Sequence, residues 1–200
     1  MTFQFQELGP GGEIPTNPEK SCGGCTACCF TVPVKEIGLT SFKRCPHLQP
    51  PFALEVGCSI YRDRPRSCRQ WSCVWLSSDL PDELRPDRCG VVLDPLVDLI
   101  RVQGKEVAAA QAWVLRGYED AWQDDPVRSA IYALVEGQNT PVLWRLPPDD
   151  NDQRLARVFM RDPNTGQVGI SPPFRAQDEL LGYENDGKRL VRAQQLLQAR

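Results

Sequence analysis

The 200-residue chain has a single histidine, two methionines and no long hydrophobic run. Because His47 is the only imidazole, a Ser-His-Asp mechanism has one candidate base, and no motif places a nucleophile beside it. No segment approaches the roughly 18 consecutive apolar residues that cross a bilayer. The first ten residues lack the basic start and apolar centre of a secretion signal. We therefore predict a cytoplasmic protein without a membrane segment.

An excess of positive charge is also missing. The net charge is -3, whereas a domain that binds nucleic acid usually has a basic face. The chain has no phosphate-binding glycine loop. The stretch from Asp162 to Gly166 lacks the distal glutamate of a calcium loop, so we interpret it as a hairpin turn. Composition therefore argues against nucleic acid as a partner.

Cysteine, in contrast, is abundant. All nine cysteines lie between Cys22 and Cys89. A reducing cytoplasm does not hold thiols as disulfides, and an odd number would leave one thiol over in any case. Buried structural cysteines are the simpler alternative, but a preference for burial predicts scattered cysteines and not a dense run. Metal binding is the interpretation that we favour.

Residues 22–29, with the sequence CGGCTACC, contain four of these thiols. A gap of two residues between cysteines lets two sulfurs curl around one ion while the intervening amides face the sulfurs. Gly23 and Gly24 suit such a tight turn, because a Cβ would resist the backbone angles that it needs. This stretch therefore predicts a metal site.

Eight cysteines are candidate ligands, and Cys89 is a ninth cysteine that two four-thiolate sites would leave over. Eight thiols are enough for two tetrahedral four-thiolate sites, for one cluster plus one ion, or for one four-cysteine site with supporting thiols. Neighbouring side chains point in different directions, so either Cys28 and Cys29 serve different sites or only one of them is a ligand. We expect His47 to lie beside the site or on the surface rather than to bind metal. The predicted ligands are Cys22, Cys25, Cys28, Cys29, Cys45, Cys58, Cys68 and Cys73.

The identity of the metal stays open between zinc and an iron-sulfur cluster. The Gly-Gly turn and the frequency of four-cysteine zinc sites in intracellular proteins favour zinc. The CxxCxxC spacing of residues 22–28, with a more distant Cys45-Pro46, is typical of ferredoxin-like clusters and favours iron-sulfur. The segment ends with Cys68-x4-Cys73 and has no second CxxC, so it is not an ordinary zinc ribbon.

Basic residues are concentrated around these cysteines. Between Ser41 and Arg69 six basic residues stand against two acidic ones, Glu55 and Asp63. A zinc ion held by four thiolates carries a net charge of about -2, so nearby cations would lower the pKa values of the thiols and stabilise the loaded site. A docking patch for an acidic partner or nucleic acid, and a solvated loop, are the alternatives. The basic residues are Lys43, Arg44, Arg62, Arg64, Arg66 and Arg69.

The whole chain predicts an α+β fold, in which a cysteine-rich half organised by metal packs on a small antiparallel sheet with a few helices. Metal would replace the hydrophobic core that the cysteine-rich half lacks. The predicted regions are an extended lead-in at 1–20, a metal-binding region at 21–90 and an α+β region at 91–200, the last two merged into one globular unit.

Hydrophobic patterning predicts the individual elements. Alanines in the second strand of the first hairpin would also suit a helix. In chain order we expect an edge strand at 30–37 interrupted by Pro33, a hairpin of 96–103 and 106–115, a helix from Asp125 and Pro126 to about Glu136, a strand at 141–146, a hairpin of 155–160 and 167–170, and a terminal helix from Lys188.

Residues 20–75 also resemble a known family. Their spaced motifs match, in order, those of the CxxCxxCC family of zinc- or iron-chelating proteins, also called YkgJ-like cysteine cluster proteins. The resemblance implies metal binding through these cysteines, and related domains occur in proteins proposed to hold iron-sulfur clusters, including a type of protein lysine methylase. It implies no activity beyond chelation and does not cover the chain after Cys89. The motifs are Cys22-x2-Cys25-x2-Cys28-Cys29, Cys45-Pro-x-Leu48, Gly57-Cys58-x-Ile60-Tyr61, Arg64-Pro65-x2-Cys68-Arg69 and Cys73.

Two functional hypotheses follow from the sequence. The first is an accessory or metal-handling protein that coordinates zinc or an iron-sulfur cluster and presents a rigid surface to a protein partner. The second is an iron-sulfur-dependent redox or protein-modifying enzyme, with the carboxy-terminal half binding the substrate. A zinc module that contacts RNA is a third and weaker hypothesis. The sequence identifies neither a catalytic residue nor an oligomeric state.

Overall fold

A computed structural model describes most of the chain up to residue 175. The predicted terminal helix from Lys188 lies outside the described residues, as does the start of the predicted lead-in. The described ranges are 14–49, 57–102, 105–162 and 164–175.

The described part of the lead-in, residues 14–20, contains a turn but no helix or strand. The backbone N–H of Ile14 donates to the carbonyl of Gln70 at 2.7 Å, and that of Asn17 donates to the carbonyl of Leu76 at 2.9 Å. These two bonds attach the lead-in to the last part of the cysteine-rich region.

The described helices are short, as the many prolines of the amino half predict. None of them is both long enough and apolar enough to cross a membrane. The helices are α1 (Cys28–Thr31), α2 (Arg66–Gln70), α3 (Val74–Ser77), α4 (Pro86–Cys89) and α5 (Val127–Tyr132), which continues as a π-helical turn at Ala133–Gly137. Single 3-10 turns lie at Lys35–Ile37, Tyr61–Asp63, Asp82–Leu84 and Ala121–Gln123.

One six-stranded sheet forms the centre of the fold. Its strands are β1 (Val91–Val102), β2 (Lys105–Val114), β3 (Val142–Arg145), β4 (Leu155–Arg161), β5 (Val168–Ile170) and β6 (Phe174–Arg175). The strand order is β1-β2-β3-β4-β5, and β6 also pairs with β4. All pairs are antiparallel except β2 with β3, which is parallel. The predicted α+β fold, with a cysteine-rich half against a sheet, is confirmed, but the sheet is mixed and not antiparallel as predicted, because β2 and β3 are parallel.

Both predicted hairpins are present, and the first is longer than expected because β1 begins at Val91. The helical alternative for residues 106–115 is wrong. Ala108, Ala109 and Ala112 are fully buried in β2, because this strand pairs with β1 and β3 and is covered on both faces. Strand propensity depends on packing and burial, so the pairing and burial of β2 outweigh the low strand propensity of alanine.

The predicted helix after Asp125 is confirmed as α5 and its π-helical extension. The Asp125 carboxylate accepts hydrogen bonds from the amide and hydroxyl of Ser129, at 3.3 and 2.6 Å, and so stabilises the first turn. The apolar stripe of this helix, including Ile131 and Leu134, is buried against the sheet in the main hydrophobic cluster. Gly137 ends the helix, as its sequence position predicts.

The cysteine-rich region packs on the first two strands. Successive residues of a strand face opposite sides of a sheet. Val91 and Leu93 face the cluster that contains α5, whereas Val92 packs with Trp113 of β2 and Ala27 of the cysteine-rich region. Cys22 and Cys73 pack against the first of these clusters, and Cys25 and Cys73 against the second. The cysteine-rich region therefore contacts both faces at the β1 end of the sheet.

The predicted edge strand at 30–37 is wrong. The chain turns twice here, first in α1 and then in the 3-10 turn at Lys35–Ile37. The Thr31 hydroxyl donates to the carbonyl of Ala27 at 3.1 Å, which holds α1 closed. Gly38, in the left-handed region with φ +64°, folds the chain back so that Val34 bridges to Leu39. The alternating apolar residues at 30–37 therefore belong to a compact loop and not to a strand.

Gly90 connects α4 to β1 in a conformation that other residues resist, with φ +73°. A Cβ at this position would lie 2.0 Å from Cγ of Tyr118. We expect Gly90→Ala to lower the free energy of unfolding by about 2 kcal/mol, from left-handed strain and displacement of the Tyr118 ring. Urea unfolding measures it. Tyr118→Ala in the same background should recover only the overlap with the ring, because Cβ of residue 118 would itself lie 2.5 Å from the added Cβ. Full stability of Gly90→Ala would contradict this geometry.

Candidate metal centre

The eight predicted ligands line one cavity. Its volume is about 420 Å³, and the lining includes every predicted ligand cysteine and also His47. All nine cysteines are free thiols, and the eight in the cavity wall are partly buried. Cysteines that are spread over residues 22–73 of the sequence are thus brought together around one cavity without a disulfide.

The cysteine sulfur atoms are not arranged as the ligands of a metal site. Within the described ranges, no group of three or more His, Cys, Asp or Glu side chains is arranged to hold a metal ion. The cavity therefore collects the donors, and an ion or cluster would have to draw them closer. The hydrogen bonds and charges around each thiol show how well these cysteines suit a metal ion or cluster.

Backbone amides face two of the sulfurs in the manner expected of metal-binding turns. The Cys45 sulfur accepts hydrogen bonds from the backbone N–H groups of His47 and Leu48. The Cys73 sulfur accepts from the backbone of Trp75 and Leu76. Such N–H donors stabilise a thiolate more than a thiol, because the acceptor then carries charge. The local turns therefore suit a bound metal.

Four cysteines form a first group, which we call quartet A: Cys22, Cys25, Cys28 and Cys73. After burial, the charge of Cys25 contributes to raising the pKa of Cys22, and the charges of Cys22 and Cys25 raise the pKa of Cys73. The charges of Cys73 and Cys22 likewise contribute to raising the pKa of Cys28. The charge of Cys29 also raises the pKa of Cys22, so quartet A is a grouping that we assign to these thiols and not a cluster set apart from the others.

The other four cysteines form quartet B: Cys29, Cys45, Cys58 and Cys68. The backbone N–H of Cys45 donates to the carbonyl of Cys29 at 2.9 Å, and Leu48 forms a β-bridge with Cys58. After burial, the charges of Cys29 and Cys45 contribute to raising the pKa of Cys68. Quartet B therefore draws on four segments: α1, the Cys45 turn, the Cys58 bridge and α2.

The adjacent residues Cys28 and Cys29 connect the quartets. Both lie in the first turn of α1, where consecutive side chains are about 100° apart around the axis. A side-chain hydrogen bond from the Cys28 thiol lowers the pKa of Cys29 to about 7 and, together with burial, raises the pKa of Cys28 well above its usual value. The helix therefore directs one thiol to each quartet while the two remain in contact.

Burial is the largest influence on the pKa values of Cys22, Cys25, Cys45, Cys68 and Cys73, and it raises each of them. It raises the pKa of Cys68 to about 11 and that of Cys73 to about 12. Arg64 lowers the pKa values of Cys22, Cys29 and Cys68, but it outweighs burial at none of them. The predicted effect of the basic residues on the thiols is therefore present for Arg64 and smaller than expected.

Arg85 was missed because it lies outside the basic stretch that the sequence singles out. Its guanidinium donates to the carbonyl of Cys22 at 3.2 Å and forms an ion pair with Asp87 at 3.0 Å. It also lowers the pKa values of Cys22 and Cys25, against the larger effect of burial. Only the packing of α4 beside the cysteines brings it there.

His47 and Cys89 differ in their position relative to the cavity. His47 lines the cavity, and its backbone groups, rather than its imidazole, make its observed bonds, to the Cys45 sulfur and Ser59. Cys89 is absent from the cavity wall. Its buried thiol lies 3.6 Å from the carbonyl of Leu84 and 3.5 Å from that of Val91.

Glu36 positions α2 and hence Cys68. Its carboxylate accepts hydrogen bonds from the hydroxyl and amide of Ser67, at 2.7 and 2.9 Å, and these bonds lower its pKa. A lowered carboxyl pKa stabilises the fold above the ordinary carboxyl pKa, and this is lost as the pH falls. We expect Glu36→Ala to lower the free energy of unfolding at pH 7 by about 1 kcal/mol, since the site is exposed.

Urea unfolding at pH 7 and near pH 3 tests the Glu36 contact. Ser67→Ala is the matched control, because it removes the hydroxyl and keeps the amide donor. Its effect should be about half as large. A Glu36→Ala variant with unchanged stability at pH 7 would show that this contact does not hold α2.

Asp94 attaches the cysteine-rich region to the sheet. It is 2% exposed and lies in β1, just before the register shift of the β1–β2 pair. Its carboxylate accepts hydrogen bonds from the indoles of Trp71 and Trp113, at 3.0 and 3.1 Å, and from the amide of Leu96 at 3.0 Å. Trp71 lies between Cys68 and Cys73, so this contact positions the segment that carries them.

An aspartate inside a strand was the available signal for Asp94, because this residue is depleted in strands. Its partners could not be inferred, since both indoles are distant in the sequence. Arg145 completes the buried polar group. It contacts Asp98 and Gln111 at 2.8 and 2.9 Å and lies 4.6 Å from the centre of the Trp113 ring.

Comparisons with known proteins leave the resemblance to the CxxCxxCC family a prediction. No family model, no curated protein and no solved structure matches this chain.

Proposed function

We propose that this protein binds metal through two four-thiolate sites, quartet A and quartet B, in one cavity. One observation carries the proposal: eight free cysteines from separate segments line this cavity, which is the number that two four-thiolate sites need. Tetrahedral thiolate sites need four sulfurs each. The backbone donors to Cys45 and Cys73, already in place, support the fit of this donor set.

Quartet A would hold the first centre between the CxxCxxC turn and the amino end of α3. Quartet B would hold the second between α1, the Cys45 turn, the Cys58 bridge and α2. Bound zinc would supply structural stability, and a bound iron-sulfur cluster would supply one-electron redox chemistry. We propose an accessory or metal-handling role in the cytoplasm, as the resemblance to the CxxCxxCC family implies.

The iron-sulfur-dependent enzyme remains the second candidate, and the size of the cavity favours it. Two zinc ions, each closely surrounded by its ligands, leave little need for a space of about 420 Å³. The walls beyond the cysteines are largely apolar, with side chains such as Val34, Leu39 and Trp71. An apolar, partly enclosed site suits a cluster whose potential depends on burial.

Anaerobic purification followed by elemental analysis and an optical spectrum tests the proposal. A colourless protein with about two zinc ions per chain would support the structural sites. A brown protein with iron, inorganic sulfide and visible absorption that bleaches on reduction would support the redox enzyme. Protein that contains neither metal, and binds none when zinc or iron with sulfide is supplied, would contradict both.

A further inference from the structure

The indole nitrogen of Trp75 has no hydrogen-bond acceptor among the described residues. The side chain is 5% exposed, and this nitrogen is itself buried. Buried N–H groups in folded proteins nearly always have a partner. The exceptions call for an explanation, and an acceptor that arrives with a ligand is one.

The position of Trp75 indicates where that acceptor would be. The side chain lines the cavity of the eight cysteines, and it belongs to the hydrophobic cluster against which Cys22 and Cys73 pack. Its own backbone N–H already donates to the Cys73 sulfur. Trp75 is therefore beside quartet A and not quartet B.

Two cations hold the ring in place. Lys20 lies 4.8 Å and Arg85 5.6 Å from the centre of the Trp75 ring. Each cation also donates a hydrogen bond to a backbone carbonyl. The Lys20 ammonium donates to the carbonyl of Trp75 at 3.2 Å, and the Arg85 guanidinium donates to that of Cys22 at 3.2 Å. A ring fixed in this way cannot readily turn its N–H toward solvent.

We propose that the Trp75 indole N–H donates a hydrogen bond to a metal-bound sulfur of quartet A, and that Trp75 is thereby a positioning residue of this centre. The inference rests on the proposed function. Free thiols are weak acceptors, whereas a metal-bound thiolate or sulfide carries negative charge and accepts more strongly. The bond therefore forms on loading, and it stabilises the loaded centre over the empty one.

Trp122 provides a matched control within the same chain. Its indole nitrogen is likewise buried and without an acceptor in the described residues. Trp122 lines a different cavity, of about 250 Å³, whose described wall contains no cysteine. Metal loading should leave its N–H unchanged.

The first test uses the full-length wild-type chain with ¹⁵N-labelled tryptophan, titrated with Zn²⁺ and then with ¹¹³Cd²⁺. Spectra of Trp75→Phe and Trp122→Phe assign the two indole signals. We expect the Trp75 indole proton to move downfield on loading and to show coupling to ¹¹³Cd, with no change at Trp122. An unchanged Trp75 signal in protein that has bound metal would overturn the inference and leave the proposed function intact.

The second test measures loss of metal to a chelator. Trp75→Phe should lose metal from quartet A about tenfold faster than wild type, the ratio expected from one hydrogen bond to a charged acceptor. Trp122→Phe should lose it at the wild-type rate. Equal rates in the two variants would overturn the inference. Wild-type protein that binds no metal would overturn the proposed function and this inference together.

Discussion

Cys25→Ser and Cys68→Ser are each expected to remove about half of the bound metal, because they belong to different quartets. With zinc, the content should fall from about two ions per chain to about one in either variant. The binding free energy of a structural zinc site, on the order of 10 kcal/mol, is largely folding free energy. Each variant should therefore also unfold at much lower denaturant concentration. Elemental analysis and urea unfolding of the loaded proteins measure both effects.

Two further variants make this result specific. Cys89→Ser should keep the full metal content, because Cys89 lies outside the cavity wall. The double variant Cys25→Ser/Cys68→Ser should bind no metal. If either single variant already loses all metal, the eight thiols form one shared centre and not two. If both single variants keep all of it, neither cysteine is a ligand.

Asp94→Ala is expected to lower the free energy of unfolding by about 3–5 kcal/mol. Removal of the carboxylate leaves the indole N–H groups of Trp71 and Trp113 and the amide of Leu96 without an acceptor in a buried site. It also removes a negative charge close to the buried Arg145. Urea unfolding of wild type and variant measures the loss, and a loss below about 1 kcal/mol would contradict this role.

Asp94→Asn separates the charge from the hydrogen bonds. Burial raises the pKa of Asp94, against the lowering effects of its hydrogen bonds and Arg145. A carboxyl with a raised folded pKa destabilises the fold as it ionises, so wild-type stability relative to Asp94→Asn should fall as the pH rises from about 4 through the folded pKa. If the two proteins instead show the same change of stability with pH across this range, the pKa of Asp94 is the same in the folded and unfolded states, which would contradict the raised pKa.

Local patterns predicted the carboxy-terminal elements well. The hairpin of β4 and β5 and the strand β3 follow from alternation and turn residues, and α5 follows from its apolar stripe, although its N-cap residue is Pro126. Where the pattern was ambiguous, tertiary packing decided the outcome. The alanines of β2 suit a helix by propensity, but pairing on both sides made them a strand. Residues 30–37 alternate like a strand, yet Gly38 and α1 fold them into a loop.

The candidate centre was predictable as a set of residues but not as an arrangement. Spacing singled out eight cysteines and set Cys89 apart, and the cavity wall agrees with that division. The grouping into quartets depends on contacts between distant segments, such as Cys45 with Cys29, which no local pattern encodes. The supporting side chains Asp94, Arg85 and Trp75 were missed for the same reason. Their partners are far away in sequence.

X-ray absorption at the metal edge tests the central claim most directly, on full-length protein purified without oxygen. Two four-thiolate centres predict a first shell of about four sulfurs per metal, at about 2.3 Å for zinc, with no light-atom ligand. A first shell of nitrogen and oxygen, or fewer than three sulfurs per metal, would contradict the account.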